Sequence, residues 1–505
     1  MSLSAALFSY LPLPRPATAL AAALVLAGCA VGPDYRTPEV AVPAAWDSAG
    51  PATPASAPRL AQWWQRLGDP QLDALIAEAV AGNLDVATAK ARIREARASY
   101  RQAGGALYPS LDGSTSAARQ RSGSESRGTE VSSQFQAGFD AAWELDVFGA
   151  NYRRLEAAGY GLEAAGQELR ATLLTLVGDV ATNYVAARGF QARIDYARQT
   201  AVSQRETEAL TRVKFEAGAA SGADLANATG QASGTEAGIP SLEADYAAAV
   251  HRLSVLTGRP PAALKARLAA EGPIPAPALP LPTGVPADLL RTRPDVRLAE
   301  RQLAQATAEI GAAEAARYPS FSLTGSLSTS AASVGDLAQS TSISWVFGPT
   351  LTLPIFNAGQ LAAAVEVEEA QRDQSFVAFR AAVLTALEEV ENALVSFTKE
   401  RERYESLAAS AAAFRDAARL ARLLYQSGAT DFLEVLDAER SLYAAEDSLI
   451  QSRIAITTDY IALNKALGGG WDGALDVSRP EVIDVNTGPH FIDRSQTPDA
   501  AETPS

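Results

Sequence analysis

Two halves of this chain repeat one another at a fixed offset of 210 residues, and this duplication constrains the fold more than any other feature. Ala106-Leu-Tyr-Pro-Ser-Leu111 returns as Ala316-Arg-Tyr-Pro-Ser-Phe321. Phe215-Glu-Ala-Gly218 returns as Tyr425-Gln-Ser-Gly428, and Leu253-Ser-Val-Leu-Thr-Gly258 as Leu463-Asn-Lys-Ala-Leu-Gly468. The apolar spacing repeats too. Leu173, Val177, Val180, Tyr184 and Ala187 step by four and three, as do Val383, Leu387, Val390, Leu394 and Phe397. Whatever one unit folds into, the chain contains it twice.

Each unit opens with a helical stretch, about Pro70 to Ala106 in the first. Strand-like residues follow, then a long helical run from about Gly149 to Glu216 and another ending at Gly258. No proline falls between Pro109 and Pro240, nor between Pro354 and Pro480. Helices of nearly 70 residues reach on the order of 100 Å and need partners along their length. Val435, Leu442, Leu449, Ile456 and Leu463 lie seven apart, the seam of a coiled coil or of a helical bundle. Gly230, Gly234, Gly238 and Pro240 predict a bend or interruption in the second helix of unit one. Gly468 to Gly470, with no Lys-Ser/Thr after them, read as a helix terminator and not as a phosphate loop.

Between the helices, Phe135, Ala137, Phe139, Ala141, Trp143, Leu145 and Val147 alternate with polar or small residues. Ile343, Trp345, Phe347, Leu351, Leu353 and Ile355 do the same in unit two. Their shorter partners are Leu107 to Thr115 and Phe321 to Leu327, and the polar stretches Ser114 to Glu130 and Ser328 to Thr341 read as connecting loops. Period-two alternation over about 9 to 11 residues suits a tilted membrane strand with one face to lipid, although any single segment could be a half-buried soluble hairpin. Two hairpins supply four strands. Four strands cannot close a barrel in lipid, where open edges are prohibitive, so several chains must pool them. Three chains would give 12 strands and 12 long helices.

The amino terminus indicates the destination. Ala17 to Gly28 form an apolar stretch too short to span a bilayer, followed by the chain's single cysteine. Leu26-Ala27-Gly28-Cys29 resembles a bacterial lipobox. That resemblance implies a signal peptide over 1–28, and N-acyl and S-diacylglycerol lipid on Cys29, each buried CH₂ contributing about 0.8 kcal/mol. Ala30 follows where an inner-membrane retention signal would have Asp, so the anchor is expected in the outer membrane.

The inventory argues against other chemistry. One cysteine excludes an intrachain disulfide and a Cys-based zinc site. His251 and His490, far apart in sequence, argue against a Ser-His-Asp or metallohydrolase centre. A net charge of -15 lacks the basic footprint for nucleic acid. No catalytic residue, cofactor or metal is expected.

The chain resembles the outer membrane factors, the TolC-like and OprM-like trimeric tunnels of tripartite efflux pumps. The matching residues are Gly28-Cys29-Ala-Val-Gly-Pro-Asp-Tyr35, Leu289-Leu-Arg-Thr-Arg-Pro-Asp295, Asp431-Phe-Leu-Glu-Val-Leu-Asp-Ala-Glu-Arg440 and Leu467-Gly-Gly-Gly-Trp471. The resemblance implies an α+β membrane protein: a trimeric 12-stranded outer-membrane β-barrel continued by a long periplasmic α-helical coiled-coil barrel. It implies a homotrimer, contact with outer-membrane lipid, a periplasmic adaptor at the helical tips and an inner-membrane pump of the resistance-nodulation-division type. It places a periplasmic gate on Leu433 and Asp437, with Arg440 as ionic partner and Tyr425 near the helix turn. Residues 433, 437 and 440 share one helix face by spacing, where Asp437 and Arg440 could equally be a solvated i,i+3 pair.

The expected organisation is thus a signal peptide (1–28), a lipidated periplasmic segment (29–69), unit one (70–258), a proline-rich connection (259–286), unit two (287–468) and a polar tail (469–505), its last 20 or so residues disordered. The expected function is a passive export duct for small molecules such as drugs. Metal efflux and type I protein secretion are alternatives within that class, and a coiled-coil adaptor lies outside it. The chain's acidity predicts a cation-preferring pore.

Overall fold

The computed structural model describes residues 30–40, 43, 46, 60–124, 128–277 and 293–478. The expected signal peptide, Cys29, most of 41–59 in the expected periplasmic segment and the end of the polar tail lie outside the described residues, as do 278–286 of the proline-rich connection and 287–292 at the start of unit two. Unit one comprises α1 (Pro70–Gly82), α2 (Leu84–Gly105), β1 (Ser110–Ser124), β2 (Gly128–Leu145), α3 (Ala150–Glu216) and α4 (Gly222–Leu256). A single turn, α5 (Lys265–Leu268), follows. Unit two comprises α6 (Pro294–Ala315), β3 (Ser320–Ala331), β4 (Ile343–Thr352), α7 (Gln360–Ser427) and α8 (Phe432–Ala466).

The two long helices hold 67 and 68 residues, about 100 Å each. Gly149 and Gly359, 210 apart, precede them with φ of 80° and 84°, a left-handed entry that glycine adopts without steric cost. No helix among the described residues is long and apolar enough to cross a membrane. The strands form one antiparallel sheet in the order β1-β2-β3-β4, so unit one's hairpin lies beside that of unit two and β1 and β4 are left as edges.

Three sequence expectations are corrected. The first helical stretch is broken at Asn83, whose extended backbone lets its side-chain oxygen cap α2 by accepting from the N–H groups of Asp85 and Val86. Much of the supposed loops is strand: β1 runs to Ser124, β2 starts at Gly128 and β3 runs to Ala331. Ladder hydrogen bonds belong to the backbone, so Ser, Thr and Arg continue a strand where a partner strand is present. Finally, the interruption expected near Pro240 is absent, since α4 runs through it as one helix. Pro240 and the three glycines are exposed, so the carbonyl four residues before the proline can bond water while the opposite face packs on α3.

The core repeats with the sequence. Val86, Ala89 and Ile93 of α2 are buried against α3, and Val296, Ala299 and Leu303 of α6, each 210 further on, are buried with Val383 and Val390 of α7. Leu72, Leu75 and Ile76 of α1 are fully buried beside Val177, Val180 and Tyr184, each contributing roughly 1.5–3 kcal/mol. The described part of the proline-rich connection, 259–277, is docked on the helices. Leu264 and Leu268 are buried, Gln191 and Tyr246 donate to the Leu268 carbonyl, and Thr457 donates to that of Pro275.

Candidate functional site

The sheet has two chemically different faces, set by register. Gly113, Phe139, Leu327 and Trp345 stand in one cross-strand row, and Leu111, Ala141, Gly325 and Phe347 in another. Leu145, Phe321 and Leu351 form the row nearest the helices. The aromatic rings lie over glycines, Phe139 against Gly113 and Phe347 against Gly325, which fills the surface beside the glycines. Phe139 and Trp345 are 56% and 74% exposed, an apolar face that nothing among the described residues covers. The opposite face carries Asp112 beside Asp140, Ser114 beside Gly138 and Ser328, and Glu144 beside Ser322 and Thr350. The apolar face suits lipid and the polar face an aqueous bore.

At the other end of the molecule, two helical tips repeat one design. α3 and α7 end in left-handed Gly218 and Gly428, φ 73° and 75°. The N–H of Ala219 returns to the Lys214 carbonyl at 2.7 Å, and that of Ala429 to the Leu424 carbonyl at 2.8 Å, satisfying helix-end acceptors. Ser221 and Asp224 then form a capping box on α4, and Asp431 caps α8 through the Glu434 N–H.

Leu433, Asp437 and Arg440 are exposed together on the first turns of α8. Phe432, Val435, Leu436 and Glu439 are buried behind them. Arg440 does not pair with Asp437: its Nε donates to Gln231 of α4 at 2.8 Å, joining the two tips. Tyr425 stands apart from the exposed trio. It is buried, stacks edge-on against Phe432, lies under the Lys214 ammonium at 3.9 Å and shares a hydroxyl hydrogen bond with Thr211. At the equivalent positions 210 earlier, unit one has Ala223, Asn227 and Gly230, so the exposed Leu-Asp-Arg set occurs on one tip only.

Sequence reasoning missed the ionic links behind this face. Glu439, 4% exposed, accepts from Arg422 Nε at 2.8 Å and from Thr207 of α3 at 3.1 Å. Glu208 accepts from Arg205, Arg212 and Thr229, and the Arg205 hydrogen bond foremost holds its carboxyl below the ordinary range. Further up, Arg193 of α3 clasps Asp447 of α8 with two hydrogen bonds of 2.7 and 3.2 Å. Glu439 had a legible signal, since it lies one turn after Val435 on the buried side of the helix.

The segment just after Cys29 is fastened where the sheet meets the helices. The Val31 N–H donates to the Phe148 carbonyl, and Ala30 lies so close to Gly149 that a Cβ there would meet it at 2.8 Å. Arg153, 4% exposed along its side chain, donates to the carbonyls of Val31 and Gly32 and to Asp34.

The profile of the outer membrane efflux protein family matches residues 75–259 and 285–469, once for each unit. Nodulation protein T of Rhizobium leguminosarum is 35% identical over 451 residues, covering 89% of this chain and 96% of that protein. The toluene efflux pump outer membrane protein TtgC of Pseudomonas putida is 33% identical over 89% of this chain and 94% of its own length. The cation efflux system protein CusC of Escherichia coli is 32% identical, with 89% and 97% covered. Among solved structures, the outer-membrane channel OprN superposes with a TM-score of 0.81 at 34% identity, over 88% of this chain and all of that one.

Proposed function

The chain belongs to the outer membrane efflux protein family, and from that premise we propose how this outer-membrane export duct is assembled, gated and anchored. One observation carries the reading: a four-stranded sheet, apolar on one face and acidic on the other, has two open edges and continues into helices some 100 Å long. Three copies pair β1 of one with β4 of the next, giving 12 strands around a bore. The helices extend that bore across the periplasm. Transport through such a bore is passive, and a pump in the inner membrane supplies the energy.

The partners we propose are a periplasmic adaptor seated on the helical tips and an inner-membrane pump of the resistance-nodulation-division type. The cargo is small solutes. Relatives named for toluene efflux and for cation efflux stand at 33% and 32% identity, so a duct of this build serves chemically different cargoes and selection lies with the pump. In the trimer, three Leu433 and three Asp437 side chains ring the periplasmic mouth as a gate, with Arg440 holding the ring to the neighbouring tip through Gln231. Cys29 carries the lipid. Its neighbour Ala30 sits at the sheet-to-helix junction, so acyl chains on Cys29 would enter the leaflet beside the barrel's periplasmic rim.

Purified mature protein should require detergent, migrate as a trimer and open stable conductances in a planar bilayer. A water-soluble monomer without conductance would overturn the duct. Cys29→Ala should abolish labelling by a radioactive fatty acid while leaving trimer conductance intact.

A further inference from the structure

The hairpin of unit one is longer than that of unit two, and export does not account for the excess. β1 and β2 span 15 and 18 residues, against 12 and 10 for β3 and β4. The lipid-facing apolar rows run from Leu145 to Phe135 along β2, ten residues apart in sequence. With a strand rise of about 3.4 Å and a tilt of about 40°, that is roughly 26 Å, the height of an outer-membrane apolar band. Above it, on the same face, β1 carries Arg119 opposite Ser133 and Arg121 opposite Val131. These positions fall about 5 and 10 Å beyond the band, within or just above the headgroup layer, which is roughly 5–8 Å deep per leaflet.

Both arginines are exposed, and among the described residues neither has a carboxylate partner. Unit two has nothing comparable: the equivalent positions are Thr329 and Ala331, and no Lys or Arg occurs between Arg317 and Arg372. Each chain therefore presents one cationic pair on the membrane side, and a trimer presents three. Long cationic side chains just above an apolar belt rest their stems on it and place their charge among the headgroups. A guanidinium there meets phosphate with bidentate geometry, which a lysine ammonium lacks.

We propose that Arg119 and Arg121 form a docking surface for the phosphate-bearing headgroups of lipid in the outer leaflet. The proposal rests on the outer-membrane placement of the sheet, and it adds a lipid-recognition role confined to the first hairpin. Two cations near an anionic surface should change lipid retention by at least about tenfold.

The test uses detergent-solubilised, delipidated trimer incubated with bisphosphorylated lipid A or with its dephosphorylated form, and native mass spectrometry reads the bound lipid. Wild type should retain the phosphorylated form preferentially. Arg119→Ala/Arg121→Ala should lose at least about tenfold in that form only, and Arg119→Lys/Arg121→Lys, which keeps the charge but not the bidentate geometry, should fall between wild type and the alanine variant. Equal retention by wild type and the alanine variant, or a loss that is the same for dephosphorylated lipid, overturns the proposal. Should the alanine variant fail to assemble, wild type alone decides, because absence of any preference for phosphorylated lipid also overturns it. Planar-bilayer conductance of the same preparations reports separately on the duct.

Discussion

Asn83 and Arg293, 210 residues apart, perform the same task in the two units. The Asn83 side-chain amide donates to the Leu256 carbonyl at 3.0 Å, and the Arg293 guanidinium donates to the Ala466 carbonyl at 2.6 Å. Each closes the open acceptor end of its unit's last helix, Leu256 on α4 and Ala466 on α8, from the start of the unit's short helix. The Arg293-Pro-Asp295 element is thus a structural clasp. Arg293 also pairs with Asp295 and Glu389, while Asn83 needs no charge because it caps α2 itself.

Arg293→Ala should therefore cost more than Asn83→Ala. The first leaves a buried carbonyl unsatisfied and two carboxylates without their cation, about 3 kcal/mol; the second loses a cap and one hydrogen bond, about 2 kcal/mol. Denaturant midpoints of the two variants compare them directly, and an equal or smaller loss at Arg293 would mean that its ion pairs contribute nothing.

The gate assignment predicts a leak. Asp437→Ala should admit large antibiotics through the outer membrane of cells expressing the duct, whereas Asn227→Ala, its counterpart on the unit-one tip, should not. Unchanged uptake with Asp437→Ala in an assembled trimer refutes the gate.

Along the polar face of the strands lie Asp112, Asp140 and Glu144, with no Lys or Arg among the described residues of that face. Wild-type channels should prefer cations, and Asp112→Asn/Asp140→Asn/Glu144→Gln should weaken the preference. Reversal potentials across a salt gradient measure it, and an anion-preferring wild type contradicts the arrangement.

Two glycines with the same backbone conformation should differ in tolerance. A Cβ at Gly258, φ 72°, would stand 2.1 Å from the Gly82 carbonyl oxygen, whereas Gly428, φ 75°, has nothing within 4 Å. Gly428→Ala carries only the left-handed penalty, about 1 kcal/mol, while Gly258→Ala must also separate α1 from the end of α4, for about 3 kcal/mol or more in total. Thermal unfolding of the two variants ranks them, and equal losses would count against the close approach.

Asp459 on α8 is half-buried, and burial, reinforced by the charge of Glu400 on α7, pushes its carboxyl up to about 6. Between its ordinary value near 3.8 and about 6 the folded state holds a proton that the unfolded chain has released, so stability from this group falls as pH rises through that window and stays lower above it. Relative to Asp459→Asn, wild type should lose on the order of 1–2 °C in melting temperature between pH 4.5 and pH 7. A constant difference between the two proteins would remove Asp459 as the cause.

Much of this architecture is legible in the sequence, and for identifiable reasons. Helix period and proline spacing located α3 and α7, because these signals depend on neighbours a few residues away. Alternation from Phe135 to Leu145 identified the lipid side. The full length of β1 was not legible, since Arg119 and Arg121 carry no strand signal without β2 beside them. Nor was the role of Arg440, whose partner Gln231 belongs to the other unit.

The sequence by itself determined the duplicated unit, the two faces of each strand and the need for further copies, since periodicity, unpaired edges and chain length are local or countable properties. Only the tertiary structure decided which polar residues serve as keystones. Asn83 and Arg293 resemble surface residues until the ends of α4 and α8 arrive beside them, and Glu439 is an ordinary helix acid until α3 brings Thr207 within reach. Such roles depend on groups distant in the chain meeting at hydrogen-bond distance, and that meeting is a product of packing.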